Sequence, residues 1–142
     1  MLLHATGVVS DGRAALLSGP SGAGKSDLAL RLIDRGWMLL ADDYLRIAVV
    51  DGRLHAAAPV ATRGMIEVRG IGLVHTPAIA EAPVALIADL GAEVERMPET
   101  ATRLLLGVAL PCFTLDPWPA SAPIKLELAF ARALAGLSRN PP

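Results

Sequence analysis

Cysteine is almost missing from this chain of 142 residues, since Cys112 is the only one. A single cysteine excludes an internal disulfide and a metal site built from several cysteines, and it is typical of a reducing compartment. An excess of basic residues is missing too, because 13 Lys and Arg stand against 14 Asp and Glu. We therefore expect a cytoplasmic protein that does not bind nucleic acid.

Long apolar runs are also lacking. The longest uncharged stretch of the second half, 104–115, contains Gly107 and Pro111 and is too short to span a bilayer. The N-terminus has no basic region of the signal-peptide kind, so we expect no membrane segment. Aromatic residues make up only 4%, and 25 residues are Ala, so the core must consist mainly of Leu, Ile, Val and Ala. The length supports one domain, over residues 1–142.

Two Asp-Gly pairs predict β-hairpins. Asp11-Gly12 separates an apolar run that ends at Val9 from the run 13–18, and Asp51-Gly52 separates 45–50 from 53–57. Asp-Gly between two such runs favours a tight hairpin turn. The second hairpin stands where a doubly wound fold would have a helix, so we predict an α/β fold of a different kind.

The remaining elements follow from apolar periodicity. Leu28, Ala29, Leu32 and Ile33 share one helical face, and Gly36 is suited to end that helix. A second helix is predicted over 125–137, starting near 121–123 and ending at Gly136 or Asn140. Strands are predicted over 37–41, 66–74 and 84–88, with one or two more over 104–115, broken by Gly107 and Pro111.

A glycine-rich segment between the first hairpin and the first helix fits G-x-x-x-x-G-K-[ST] at each fixed position. It consists of Gly19, Pro20, Ser21, Gly22, Ala23, Gly24, Lys25 and Ser26. Small residues allow successive backbone N–H groups to surround a phosphate at the positive end of a helix. Lys25 can reach the outer phosphates of ATP, and the Ser26 hydroxyl can ligate Mg²⁺. For this composition a chance match is expected in about one chain in a thousand, so the segment predicts a nucleotide or polyphosphate site.

Two adjacent carboxylates, Asp42 and Asp43, follow the strand predicted over 37–41. Ligands of open α/β sheets bind at such strand ends. One carboxylate can hold Mg²⁺ while the other accepts a proton from a hydroxyl. A strand that ends in exposed polar residues without a function would have the same pattern. Asp89, which follows the apolar run 84–88, is a rival acid because it resembles the end of a Walker B strand.

In combination, these motifs resemble the C-terminal catalytic domain of bacterial HPr kinase/phosphorylase. The resemblance rests on His4 ahead of the first hairpin, the loop 19–26, Arg35-Gly36 and the Leu-Ala-Asp-Asp of 40–43. The segment 66–73, Ile-Glu-Val-Arg-Gly-Ile-Gly-Leu, is similar to the E-I-R-G-L-G-I signature of that family. Such a resemblance implies a P-loop kinase-like α/β fold with a mixed sheet and β-hairpins, similar to phosphoenolpyruvate carboxykinase.

The resemblance also implies the cofactors and the partner. ATP is the phosphoryl donor and Mg²⁺ the metal, with Lys25 on the outer phosphates and with Ser26 and Glu67 as metal ligands. The partner is HPr, the phosphocarrier protein of the phosphotransferase system, and the enzyme is expected to form a homo-oligomer.

The catalytic roles that the resemblance implies fall on four residues. Asp43 takes the proton from the substrate serine, Asp42 lies beside it, and His4 tunes Asp43. Arg96 is similar to a later active-site arginine of the family.

Three departures from the family pattern bear on the expected activity. The chain starts almost at the catalytic His4 and therefore resembles the short, alphaproteobacterial form of the enzyme. Asp27 stands where Glu is usual after the loop serine. The late P-G-R-N segment, linked to the reverse reaction, is replaced by the sequence of 120–124, so we expect phosphorolysis to be weak or absent.

Two other functions fit the phosphate loop. A small-molecule kinase would use the same loop but needs a lid, and no Arg-rich lid segment is apparent. A nucleotide-binding regulator without transfer activity would not require the carboxylates Asp42, Asp43 and Glu67. We therefore favour an HPr serine kinase.

Overall fold

The computed structural model describes residues 1–95 and 101–139, which contain ten strands and two helices. The strands are β1 (Leu2–Ser10), β2 (Arg13–Ser18), β3 (Met38–Ala41), β4 (Tyr44–Val50), β5 (Arg53–Ala57), β6 (Met65–Val68), β7 (Gly72–His75), β8 (Glu81–Asp89), β9 (Ala101–Leu105) and β10 (Val108–Thr114). The helices are α1 (Lys25–Asp34) and α2 (Ala122–Arg139), and a 3₁₀ turn covers Val60–Thr62. Neither helix in this part of the chain is long and apolar enough to cross a membrane.

Eight of these strands form one mixed sheet that closes on itself. β1 pairs antiparallel with β2, β3 and β4, and the β4–β5 hairpin leads on to β8. β8 runs parallel to both β2 and β10, and β9 pairs with β10. Asp89 at the end of β8 lies level with Ser18 of β2 and Thr114 of β10. The carboxyl ends of three parallel strands therefore meet at one edge of the sheet.

The core is divided by strands that are buried on both faces. In β2, Ala14 and Leu16 belong to the cluster inside the closed sheet, whereas Ala15 and Leu17 pack in the cluster that includes both helices. Side chains alternate between the two faces of a strand, so a strand covered on both faces has a continuous apolar sequence. As expected, Leu, Ile, Val and Ala dominate the buried residues.

The structure confirms both predicted Asp-Gly hairpins and the end of the first helix. Asp11 and Asp51 have φ of 53° and 52°, and the glycines that follow them also have positive φ, as type I′ turns require. At the end of α1, the N–H groups of Gly36 and Trp37 donate to the carbonyls of Ile33 and Leu32, which is a Schellman motif.

Two predicted strands were wrong in detail, and one of the two ends predicted for the second helix is excluded. The strand predicted over 66–74 is the hairpin β6–β7, because Gly70 adopts a φ of 88° and reverses the chain. Pro111 does not break its strand; it lies within β10, and the parallel pairing with β8 begins at the next residue, Cys112. Gly136 lies inside α2 rather than ending it, and Asn140 falls outside the described residues.

An ion pair joins the end of α1 to α2. The Arg35 guanidinium donates to Glu127 Oε1 at 2.9 Å and 2.5 Å, and Trp37 Nε1 donates to Glu127 Oε2 at 3.1 Å. The hydrogen bond from Arg35 lowers the pKa of Glu127 from its ordinary value of 4.5, against a smaller opposing effect of burial. Because the pKa of Glu127 is lower in the folded protein than in the unfolded protein, the ionised carboxylate stabilises the fold at every pH above the unfolded-state pKa. This stabilisation is lost as the pH falls through the folded-state pKa.

We expect Glu127→Gln to lower the Tm at pH 7 by about 1–3 °C, because partly exposed pairs contribute little. The difference from the wild type should shrink below pH 4.5, as the native carboxylate becomes protonated. Thermal unfolding followed by circular dichroism at several pH values measures both effects. Glu93→Gln, in the exposed 91–95 segment, is the control. An equal Tm difference at pH 7 and at pH 3 would contradict the ionic explanation.

Candidate active site

The glycine-rich loop joins the carboxyl end of β2 to the N-terminus of α1. Gly24 is the N-cap with a φ of 95°, and no side chain caps the helix there. Lys25 is buried, and its Nζ donates to the carbonyls of Gly19 and Pro20 at 2.6 Å and 3.1 Å. The first backbone N–H groups of a helix have no intrahelical partner and favour negative charge. The loop thus combines an ammonium group with a helix N-terminus that no side chain caps, which suits a phosphate.

Asp42 lies where β1, α1 and β6 meet, directly after β3. Its Oδ1 accepts hydrogen bonds from the hydroxyls of Ser26 at 2.7 Å and Thr6 at 3.1 Å. Its Oδ2 accepts from the backbone N–H of Glu67 at 2.9 Å. These contacts bring together three of the predicted site residues, and they put the Asp42 carboxylate beside the loop serine.

Asp43 turns away from its neighbour. It has a φ of 70°, and its Oδ1 lies 2.6 Å from His4 Nε2. The His4 ring also packs on Tyr44, with the ring centroids 5.0 Å apart. Both members of the His4–Asp43 pair are partly exposed, so the pair is accessible to a substrate. The residue pattern alone left the roles of the two carboxylates open, and the resemblance to the family implied that Asp43 is the one tuned by His4. In the structure Asp42 is hydrogen-bonded to Ser26, and Asp43 is hydrogen-bonded to His4.

Thr6 is a site residue that the sequence analysis missed. It is fully buried in β1, where its hydroxyl donates to Asp42 Oδ1 and accepts from the backbone N–H of Asp43 at 3.1 Å. One side chain therefore holds the turn that separates the two carboxylates. The available signal was one hydroxyl within the otherwise apolar run 5–9, since a buried hydroxyl needs hydrogen-bond partners.

Asp89, the rival acid of the sequence, ends β8 and lies next to Ser18 of the loop strand β2. Its Oδ1 accepts a hydrogen bond from the backbone N–H of Gly91 at 2.9 Å, so it shapes the turn after β8. Gly91 is packed so closely that an added Cβ would lie 2.8 Å from Pro20. The Asp89 turn therefore borders the glycine-rich loop.

Asp89 also affects the thiol of Cys112 on the neighbouring strand β10. Burial of this thiol raises its pKa, and the negative charge of Asp89 raises it further.

Arg96, the predicted arginine of the site, lies outside the described residues.

The oxygen donors around Asp42 suit a magnesium ion. Within residues 1–95 and 101–139 no three or more His, Cys, Asp or Glu side chains cluster as a metal site of their own. Mg²⁺ is usually held by one or two carboxylates together with substrate phosphates, and it prefers hard oxygen ligands. The hydroxyl of Ser26 and the carboxylate of Asp42, which are 2.7 Å apart, fit that requirement.

Comparison with known proteins identifies the chain's relatives. The family model of the HPr serine kinase C-terminal domain matches residues 2–80. HPr kinase/phosphorylase of Clostridium tetani is 44% identical over 77 residues, covering 54% of this chain and 25% of that protein. The enzyme of the same name from Clostridium novyi is 48% identical over 75 residues, covering 51% of this chain and 24% of that protein. The match thus spans about a quarter of the length of these curated relatives.

A solved structure supports the fold along nearly the whole chain. The Hpr(Ser) kinase/phosphatase from Coxiella burnetii superposes with a TM-score of 0.84 and 24% sequence identity, covering 97% of this chain and 99% of that one. Residues 2–80 make up more than half of the 142 residues and include His4, the glycine-rich loop, the two aspartates and Glu67. The chain therefore belongs to the family of HPr serine kinase C-terminal domains.

Proposed function

We propose that this protein is an ATP-dependent serine kinase that phosphorylates an HPr-type phosphocarrier protein. The observation that carries the proposal is that two adjacent carboxylates beside the glycine-rich loop have different partners. Asp42 accepts a hydrogen bond from Ser26 of the loop, and Asp43 is hydrogen-bonded to His4. A kinase needs one acidic group near the phosphates and another near the incoming hydroxyl. The curated relatives named HPr kinase/phosphorylase support the choice of substrate.

The proposal includes the setting of the enzyme. Residues 1–142 form a single catalytic domain with a P-loop kinase-like fold related to phosphoenolpyruvate carboxykinase. It works in the cytoplasm as a homo-oligomer and uses ATP and Mg²⁺. The parallel pairing of β2 with β8, with the glycine-rich loop after β2, supports the P-loop assignment.

Binding of the donor phosphates rests on the loop 19–26. The backbone N–H groups at the start of α1 bind phosphate oxygens, and Lys25 exchanges its carbonyl partners for the outer phosphates. Ser26, Asp42 and Glu67 would hold Mg²⁺, which neutralises phosphate charge when it is bound. Arg96 is proposed to add a further positive charge at the same phosphates.

Transfer itself requires a base for the substrate serine. Asp43 accepts the hydroxyl proton on the oxygen that is not bonded to His4, while His4 keeps the carboxylate in position. The serine oxygen forms a bond to the γ-phosphorus, and the bond from that phosphorus to the β-γ bridging oxygen breaks to release ADP. General-base assistance of this kind contributes about 10²–10⁴ in rate.

Phosphoryl transfer from labelled ATP tests the proposed function. Purified protein is incubated with HPr, and separately with a panel of small hydroxyl compounds, and the phosphosite is mapped by mass spectrometry. Labelling of one HPr serine supports the proposal. Labelling of a small compound alone would indicate a small-molecule kinase, and ATP binding without any transfer would indicate a regulator.

We expect the reverse reaction to be weak or absent. The segment 120–124 that replaces P-G-R-N leads into α2 and contains no arginine, so the arginine of P-G-R-N is missing at this position. Phospho-HPr incubated with phosphate and Mg²⁺ should release pyrophosphate at least about tenfold more slowly than forward transfer. Rapid pyrophosphate release would contradict the expectation.

A further inference from the structure

Trp118 lies in the segment 116–119 that connects β10 to α2, on the same edge of the sheet as the glycine-rich loop. The strands β2, β8 and β10 are mutually parallel around β8, so their carboxyl ends and the loops that follow lie together. Ligands of such sheets bind outside these strand ends. The tryptophan therefore belongs to the same crevice as the phosphate loop, although no motif in the sequence points to it.

The indole ring packs directly on the N-cap of α1. A Cβ added to Gly24 would lie 3.1 Å and 3.2 Å from Cη2 and Cζ2 of Trp118, and 3.0 Å from Pro117 Cγ. A side chain at position 24 would therefore crowd the ring and force it to shift, and the φ of 95° also favours glycine there. Despite this contact, Trp118 is 62% exposed. A large aromatic surface is therefore open beside the loop.

The backbone around Trp118 is held on both sides. The Arg31 guanidinium donates to the carbonyls of Pro117 and Pro119, and its Nε donates to Asp27 at 3.1 Å. The Trp118 N–H itself donates to Asp116 Oδ1 at 3.2 Å. Because Arg31 and Asp27 are on α1, the segment 116–119 is tied to the helix whose N-terminus forms the phosphate site. The backbone that carries the exposed ring is therefore held in place, and binding a ligand on the ring costs little ordering of the loop.

We propose that Trp118 binds the base of the nucleoside triphosphate donor by stacking and so makes the site select a nucleotide over an inorganic polyphosphate. This inference rests on the proposed function, since it takes the glycine-rich loop as the phosphate site. Stacking of a base on an aromatic side chain tolerates any base, because every base has a π-face. The ring should therefore increase the affinity for ATP and for GTP to a similar extent. It should not increase the affinity for pyrophosphate or tripolyphosphate, because these compounds have no base.

Binding measurements on two variants test the role of Trp118. In calorimetric titrations with a non-hydrolysable ATP analogue in the presence of Mg²⁺, Trp118→Ala should lower the affinity for the analogue by about tenfold or more. Trp118→Phe should keep the affinity within about threefold, because the phenyl ring retains a stacking surface. Tripolyphosphate should bind both variants within about twofold of the wild type, and thermal unfolding checks that each variant is folded.

Fluorescence gives an independent readout. The other tryptophan, Trp37, is buried against Phe130, so a change in emission on nucleotide binding reports mainly on Trp118. The ATP analogue should quench the wild-type emission, whereas tripolyphosphate should not.

The possible outcomes separate the two proposals. An equal loss of tripolyphosphate and nucleotide affinity in Trp118→Ala would mean that the ring only supports Gly24, and an unchanged nucleotide affinity would mean that the base binds elsewhere. Either result would overturn the role of Trp118. A wild-type protein that binds neither ligand would overturn the phosphate-site assignment itself.

Discussion

Lys25→Ala is expected to lower the rate of phosphoryl transfer to HPr by about a thousandfold or more. The ammonium group is the positive side chain of the loop, and removal of one preorganised group that stabilises developing charge costs about 10²–10³ in turnover before any loss of ATP affinity is added. In the structure Lys25 Nζ bonds to two loop carbonyls rather than to a core residue, so the fold should persist. Labelled-ATP transfer and calorimetric titration with ATP measure the effect, and circular dichroism checks the fold.

The chain offers a matched control for this substitution. Its only other lysine, Lys125, is exposed on α2, and Lys125→Ala should leave transfer within about twofold of the wild type. Lys25→Met, which keeps the aliphatic part of the side chain, should be as inactive as the alanine variant if charge is what matters. Unchanged ATP affinity and turnover in both Lys25 variants would rule out the assignment of the loop as the phosphate site.

Asp43→Asn is expected to reduce turnover by about a hundredfold or more while ATP binding largely survives. Asparagine is nearly isosteric and tolerates the left-handed φ of 70° at this position, so the turn after β3 should be retained. An amide cannot accept the serine proton, and loss of a general base costs about 10²–10⁴. Initial rates with saturating HPr, compared with the Kd for ATP, separate the loss of turnover from a loss of binding.

Asp89→Asn is the control for a carboxylate at the same edge of the sheet. The Asp89 carboxylate accepts a hydrogen bond from the Gly91 N–H, and the amide oxygen of asparagine can accept the same bond. Turnover should therefore remain within about threefold of the wild type. The reversed result, with Asp89 essential and Asp43 dispensable, would indicate an ordinary P-loop kinase arrangement and would contradict the proposed base.

Local chemistry made part of this protein predictable from its sequence. The Asp11-Gly12 and Asp51-Gly52 turns depend on the backbone freedom of two adjacent residues, so no distant contact is needed to recognise them. The loop 19–26 has a contiguous motif because successive N–H groups must surround one phosphate. The same holds for the first helix, whose apolar face and final Gly36 lie within one short stretch.

Tertiary structure alone decided how these parts make a site. The closure of the sheet through β2 and β8 joins residues about 70 positions apart in the chain, and the ring of Trp118 meets Gly24 across 94 positions. The distinct partners of Asp42 and Asp43 depend on Thr6 of β1 and on the positive φ of Asp43. The hydroxyl of Thr6 in an apolar run indicates that it needs hydrogen-bond partners, but not which residues those partners are. The chemistry of each short motif follows from its own residues, whereas the position of one side chain against another is set by long-range packing.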